Sequence, residues 1–139
     1  MTGTGKSTIG LLIAKELNGS YCHEFNPTEP GDSFTNLLRD TEQNDDDLNG
    51  PLVVVMEEID IMIKNIHESK IARHNKITTA VHSKSTFNTF LDDMIFYKNI
   101  IIIMTSNVSK EVIDTVDPSY IRSGRVNAYY TMSQPLITA

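Results

Sequence analysis

Leu52-Val53-Val54-Val55-Met56-Glu57-Glu58-Ile59-Asp60 is a continuous apolar run that ends abruptly in carboxylates. A run rich in β-branched residues and without polar alternation suits a strand buried on both faces. Such strands belong to parallel sheets covered by helices. Ile100-Ile101-Ile102-Ile103-Met104 has the same character and leads into Thr105-Ser106-Asn107, so a second buried strand is expected there. Helical patterns alternate with these runs, which argues for an α/β fold built on a parallel sheet.

Working outward, a helix is expected from Lys6 to Leu17. Its apolar residues Ile9, Leu12, Ile13 and Leu17 recur at helical spacing, and Asn18-Gly19 ends it. Ser20–Phe25 reads as a short strand, and Pro27, Pro30 and Gly31 mark a loop. Asp32 has the character of an N-cap for a helix over Ser33–Thr41. Asn49-Gly50-Pro51 closes a second loop before the decisive strand. A short helix is expected over Ile61–Ile66, a longer one over Thr86–Met94, and a last strand over Ala128–Met132. Asp60 reads as the N-cap of the Ile61–Ile66 helix, with support of the neighbouring acids as the other reading.

The chain has 139 residues, of which 40% are hydrophobic and 22% charged. That is enough for one domain with a core and is a globular, not a disordered, balance. The formal net charge is −6, and Asp40, Glu42, Asp45, Asp46 and Asp47 crowd one stretch. Such a surface repels a phosphate backbone, so nucleic acid is not an expected partner. Cys22 is the only cysteine, which precludes an intramolecular disulfide and fits an intracellular, reducing compartment, the cytoplasm first. Cys22 itself reads as a small buried hydrophobe. The longest apolar run is too short to cross a bilayer, so membrane association is expected only through segments beyond this sequence.

Gly3-Thr4-Gly5-Lys6-Ser7-Thr8 is the C-terminal part of the pattern G-x-x-x-x-G-K-[ST], ahead of an amphipathic helix. Glycines let backbone N–H groups turn inward around phosphates, the lysine reaches the β and γ oxygens, and the serine hydroxyl ligates Mg²⁺. The helix N-terminus adds a favourable dipole. The first glycine of the pattern would precede Met1. A chance match to the short Gly-Lys-Ser core is the plain alternative. Glu57 and Glu58 stand where a strand hands over to a loop, the place where ligands sit in parallel sheets. There the first acid would serve the Mg²⁺ sphere and the second would polarise water. A strand that merely ends in solvated acids is the alternative.

Asn107, at the end of the neighbouring strand, would hold the attacking water or sense the γ-phosphate, or else only shape a turn. Arg122 and Arg125 lie in Asp117-Pro118-Ser119-Tyr120-Ile121-Arg122-Ser123-Gly124-Arg125. They are placed to reach a phosphate on a neighbouring subunit; surface ion pairs are the commoner fate of arginine. His67, His74 and His82 lack carboxylate or cysteine partners at ligand spacing and read as solvated. Tyr129-Tyr130 reads as packing at a sheet edge.

The order of these segments resembles the AAA ATPases, from Thr2 to about Met132. The most specific part is Asp117 to Val126, similar to the family's "DPALLRPGR" block. Phe25-Asn26-Pro27-Thr28-Glu29-Pro30-Gly31-Asp32 and the Arg125-Val126 pair resemble the mitochondrial inner-membrane AAA chaperones and their large-DNA-virus homologues. The resemblance implies a P-loop NTPase three-layer fold with a mostly parallel sheet flanked by helices. Residues 1–139 would then be a partial nucleotide-binding core lacking the first strand and the C-terminal helical lid. It implies ATP and Mg²⁺ as cofactors, with Gly3, Thr4, Gly5, Lys6, Ser7 and Thr8 in the phosphate loop and Ser7 and Glu57 at the metal. It further implies Glu58 as the catalytic glutamate, Asn107 as sensor and Arg122 and Arg125 as arginine fingers. The assembly implied is a homo-oligomeric ring, hexameric or similar, that remodels or moves a protein substrate.

The departures are Glu57 where most of the family has Asp, and no aromatic-glycine pore loop. Phe34 is the candidate there, with core packing as its other reading. Two rival functions remain: an inactive ATPase fragment that serves only as a binding module, and a nucleotide or metabolite kinase, which shares Gly-Lys-Ser-Thr. The Asp117–Arg122 block and the want of an acceptor site argue against the kinase.

Overall fold

The computed structural model describes residues 6–23, 25–33, 35–37, 50–72, 76–97, 99–122 and 125–131. Gly3, Thr4, Gly5, Phe34, His74, the acidic stretch from Asp40 to Asp47, and Met132 lie outside the described residues. The elements are α1 (Lys6–Glu16), β1 (Ser20–Cys22), β2 (Leu52–Met56), α2 (Ile59–His67), α3 (Lys84–Asp92), a 3₁₀ turn (Asp93–Phe96), β3 (Ile100–Met104) and α4 (Lys110–Val116). The strands form one parallel sheet in the order β1-β2-β3, with Leu52 opposite both Ser20 and Ile100, and Met56 opposite Met104.

β2 is buried along its whole length because it is central and covered on both faces. Its alternating side chains divide between two layers, as the pleat requires. Leu52, Val54 and Met56 join one core with Ile59, Met62, Ile63 and Ile66 of α2, Phe87, Phe90 and Leu91 of α3, and Ile113 of α4. Val55 faces the opposite way, toward α1, as does Ile103 of β3. The architecture is therefore α/β in three layers. β3 was expected to be buried like β2, but all five of its residues are only half-buried. The reason is position: it is an edge strand among the described residues.

α1 meets the sheet through a different face from the one its apolar spacing suggests. Gly10 and Ala14 are buried, whereas Leu12 is 61% exposed and Leu17 46% exposed. Small residues win because the helix lies close to the strands. A Cβ on Gly10 would stand 2.9 Å from Tyr21 Cε2 and closer still to Val55 Cγ2. Gly10→Ala should therefore destabilise the fold. Helix propensity would return up to about 1 kcal/mol, but a methyl forced onto a short, fully buried valine costs about 1–3 kcal/mol. The expected net result is a lower urea midpoint in equilibrium unfolding; a midpoint at or above wild type would refute the close packing. Just beyond α1 the chain turns at Asn18, in the left-handed conformation (φ 54°), where Asn18-Gly19 suggested a stop.

Other boundaries differ from expectation for local reasons. β1 stops at Cys22, short of Phe25, and Cys22 is half-buried against the core. Ser33, not Asp32, caps the helical turn at residues 35–37: its Oγ accepts from Asn36 N at 3.2 Å. Asp32 instead accepts from the Asn26 N–H at 3.2 Å. Asp60 falls inside the first turn of α2, whose N-cap is Glu58. α3 starts two residues earlier than the pattern suggests, because Ser83 and Thr86 form a reciprocal capping box. Residues 128–131 are not a strand, and Tyr130 is 88% exposed. Among the described residues no helix is long and apolar enough to cross a membrane, and no three His, Cys, Asp or Glu gather as metal ligands.

Candidate functional site

At the end of β2 the chain leaves the sheet at Glu57 and Glu58, both exposed. The β2–β3 pairing does not stop with the strands. Thr105 N donates to Met56 O at 3.0 Å, and Thr105 O accepts from Ile59 N at 2.8 Å. Between these bonds the Glu58 N–H donates to Thr105 Oγ1 at 3.2 Å. Glu58 sits in the left-handed region (φ 55°, ψ 47°). For a residue with a Cβ that conformation costs about 1–2 kcal/mol. Thr105 supplies three backbone and side-chain bonds that hold it. Although Glu58 occupies the N-cap of α2, its carboxylate caps nothing. Burial, and then the nearby Glu57 carboxylate, push the Tyr21 phenol upward from its ordinary pKa.

The N-terminus of α1 arrives at the same end of the sheet. Near the C-terminus of α1, a Cβ on Gly50, just before β2, would meet the carbonyls of Leu17 and Asn18; Gly10 meets Val55, near the end of β2. The helix thus runs antiparallel to β2. Lys6 is four residues further on, about 6 Å of helix rise beyond Gly10. Lys6 and Ser7 open the helix there, next to the level of Glu57 and Glu58, and Thr8 is exposed.

After β3 the three polar residues have three separate jobs. Thr105 bonds to the Glu58 segment. The Ser106 hydroxyl donates to Val108 O at 2.7 Å and accepts from Val108 N at 3.0 Å, which closes the turn. Asn107 is exposed beyond it. The role of Thr105 was missed from sequence. No local pattern announces it: Thr105 lies 47 residues from Glu58 in sequence, just past the end of a different strand.

Arg122 and Arg125 are not brought to this end. Ile59, bonded to Thr105, begins α2; His67, at its far end about 12 Å away by helix rise, is packed edge-on with Tyr120 at 6.3 Å. The loop that carries both arginines therefore lies at the opposite end of α2 from Glu58. Its entry is fixed by Asp117, which pairs with Lys84 and accepts from Ser119 N at 2.9 Å. The Lys84 ammonium first, and then the Ser119 bonds, hold the Asp117 carboxyl down to about 2. An unfolded aspartate titrates near 3.9. The folded value is the lower one, so the pairing contributes stability above about pH 4 and loses it as pH falls toward 2. In thermal melts, the gap between wild type and Asp117→Asn is expected to close over that window. A gap independent of pH would refute the pairing.

The donor chemistry at the carboxylate end fits a phosphate with a hard divalent cation. The helix N-terminus attracts an anion, and the exposed Glu57 and Glu58 carboxylates supply oxygen ligands of the kind Mg²⁺ selects. Comparison with known proteins bears on the same question. No curated protein matches the chain. A family model does match, over residues 1–134: the ATPase family associated with various cellular activities. That match spans nearly the whole chain and includes every candidate site residue, so the chain belongs to the AAA family of ATPases.

Proposed function

We propose that this chain binds Mg-ATP at the carboxylate end of the sheet and hydrolyses it. The observation that carries the reading is the convergence of the α1 N-terminus with Glu57 and Glu58, the latter locked by Thr105. Gly3, Thr4, Gly5, Lys6 and Thr8 would line the phosphates. Ser7 and Glu57 would hold Mg²⁺, which when bound neutralises charge on the phosphate oxygens. Glu58 accepts the proton of the attacking water while the water oxygen bonds to the γ-phosphorus and the bond to the β–γ bridging oxygen breaks. Asn107 orients that water. Catalysis of this kind is mostly positioning and charge stabilisation.

The arginine-bearing loop stands away from this end, which supports action on the site of a second copy. On this reading the working form is a homo-oligomeric ring, hexameric or similar, that spends hydrolysis on remodelling or moving a protein substrate. The segment Phe25–Asp32 supports a place beside the mitochondrial inner-membrane chaperones and their viral homologues, in a reducing intracellular compartment.

Calorimetry of Mg-ATP binding to the 139-residue chain, beside Lys6→Ala, tests the site. Binding lost in the alanine variant is the expected result; equal binding, or none by a folded wild type, overturns the reading. Specific activity should rise steeply with protein concentration, and a flat profile would sink the ring.

A further inference from the structure

The stretch from Asp117 to Arg125 is fastened to one helix at three points. At the start of α3, Lys84 pairs with Asp117. One turn on, Phe87 packs edge-on against Tyr120 with ring centroids 5.5 Å apart. At the end of α3, Asp92 takes Arg125 in a two-pronged pair: Arg125 Nε donates to Oδ1 at 2.8 Å and Nη2 to Oδ2 at 3.1 Å. The remaining arm, Nη1, donates to the Ser119 carbonyl at 2.6 Å. Every nitrogen of the Arg125 guanidinium is thus engaged within its own chain, and its side chain is only 9% exposed. Arg122 differs in each respect. It is exposed, and no hydrogen bond or ion pair holds its side chain among the described residues. Its backbone carbonyl accepts from both Arg125 N and Val126 N, so the clamp at Arg125 also sets where Arg122 stands.

We propose that Arg125 is a positioning residue, clamped in its own subunit by Asp92 and the Ser119 carbonyl, and that Arg122 alone is presented to the phosphates of a second copy. The second clause rests on the Mg-ATP reading above. A planar fork with both carboxylate bonds made would have to give them up, with the carbonyl bond, to reach across an interface. An exposed guanidinium that feels Asp92 only through its charge, with no hydrogen bond to it, has far less to give up. The two arginines that the sequence suggested as equal fingers would then divide the labour, with α3 as the strut.

Reaction of the full chain with an arginine-directed dicarbonyl, read by mass spectrometry, tests the clamp without reference to activity. Arg122 should react at least about tenfold faster than Arg125, and Asp92→Ala should abolish the protection. Equal rates in wild type would overturn the proposal. Turnover tests the division of labour. Arg122→Ala should lower kcat by about 10³-fold with the KM for ATP unchanged. Mixing Arg122→Ala with Lys6→Ala chains should restore turnover, because intact arginines of one then serve the intact loop of the other; no restoration would overturn the trans placement. Arg125→Ala and Asp92→Ala should lower Tm and kcat together, and the exchange Asp92→Arg with Arg125→Asp should recover both to within about threefold in kcat. Recovery of Tm without recovery of kcat would mean that Arg125 itself touches phosphate. A wild type that turns over no Mg-ATP would sink the ATPase reading, while the dicarbonyl result would still decide the clamp.

Discussion

Glu58→Gln is expected to lower ATP turnover by about 10²–10⁴-fold, the usual contribution of a positioned proton acceptor, and to leave Mg-ATP binding intact. The amide is isosteric with the carboxylate but cannot take a proton from water. The backbone should not move, because the bonds that hold this position run from the Glu58 and Ile59 N–H groups to Thr105 and not from the side chain. Glu57→Gln should behave differently and weaken Mg²⁺-dependent binding first. Glu58→Gly separates strain from chemistry. Glycine adopts positive φ freely, so this variant should gain about 1 kcal/mol of stability and still lose turnover. Single-turnover hydrolysis and calorimetry on the three variants check the set. If Glu58→Gln turns over normally while Glu57→Gln does not, the two roles are exchanged. If Glu58→Gly is less stable than wild type, the left-handed backbone is not a strained one.

The same residues show where sequence reading succeeds and where it stops. β2 and β3 were legible with their bounds, because a run of five apolar residues satisfies only a strand at that length. Their class of burial was less legible. β2 and β3 look alike in composition, and only strand order makes one central and the other an edge among the described residues. α4 was missed altogether. It is short, and Val112, Ile113 and Val116 are β-branched residues that propensity assigns to strands. Its N-cap at Ser109 does the work that composition does not announce. The α1 packing face was misjudged because apolar spacing favours large residues, whereas the contact with Val55 and Tyr21 admits only small ones.

The candidate site divides in the same way. Positions tied to a local pattern, such as Lys6 and Ser7 at a helix start and Glu57 and Glu58 at a strand end, are read from neighbours in sequence. Thr105 holds Glu58 from 47 residues away, and Asp92 holds Arg125 from 33. Neither pair shares a helix face or a strand register that spacing alone reveals. A threonine beyond a strand and an aspartate at a helix end are both common on surfaces. Only the fold makes them partners.

Tyr120→Ala is expected to have the largest effect on stability, a loss of about 3–5 kcal/mol, as for other large aromatic truncations. Small domains hold only about 5–15 kcal/mol in all, so the variant should unfold at low urea or fail to accumulate as a folded chain. Tyr120 is fully buried, with its ring edge-on to both Phe87 and His67. Its hydroxyl contributes little: the distance to His67 Nδ1 is 3.5 Å, at the limit of a hydrogen bond. Tyr120→Phe should therefore stay within about 1 kcal/mol of wild type, which assigns the loss in the alanine variant to the ring. Urea unfolding of both variants decides the point. Two equal losses would locate the energy in the hydroxyl and the His67 contact instead. The ring also ties the middle of the arginine loop to α3, between the Asp117 and Arg125 attachments. Any alanine variant that still folds should present Arg122 loosely, and its kcat should fall further than the phenylalanine variant's even where both bind Mg-ATP alike.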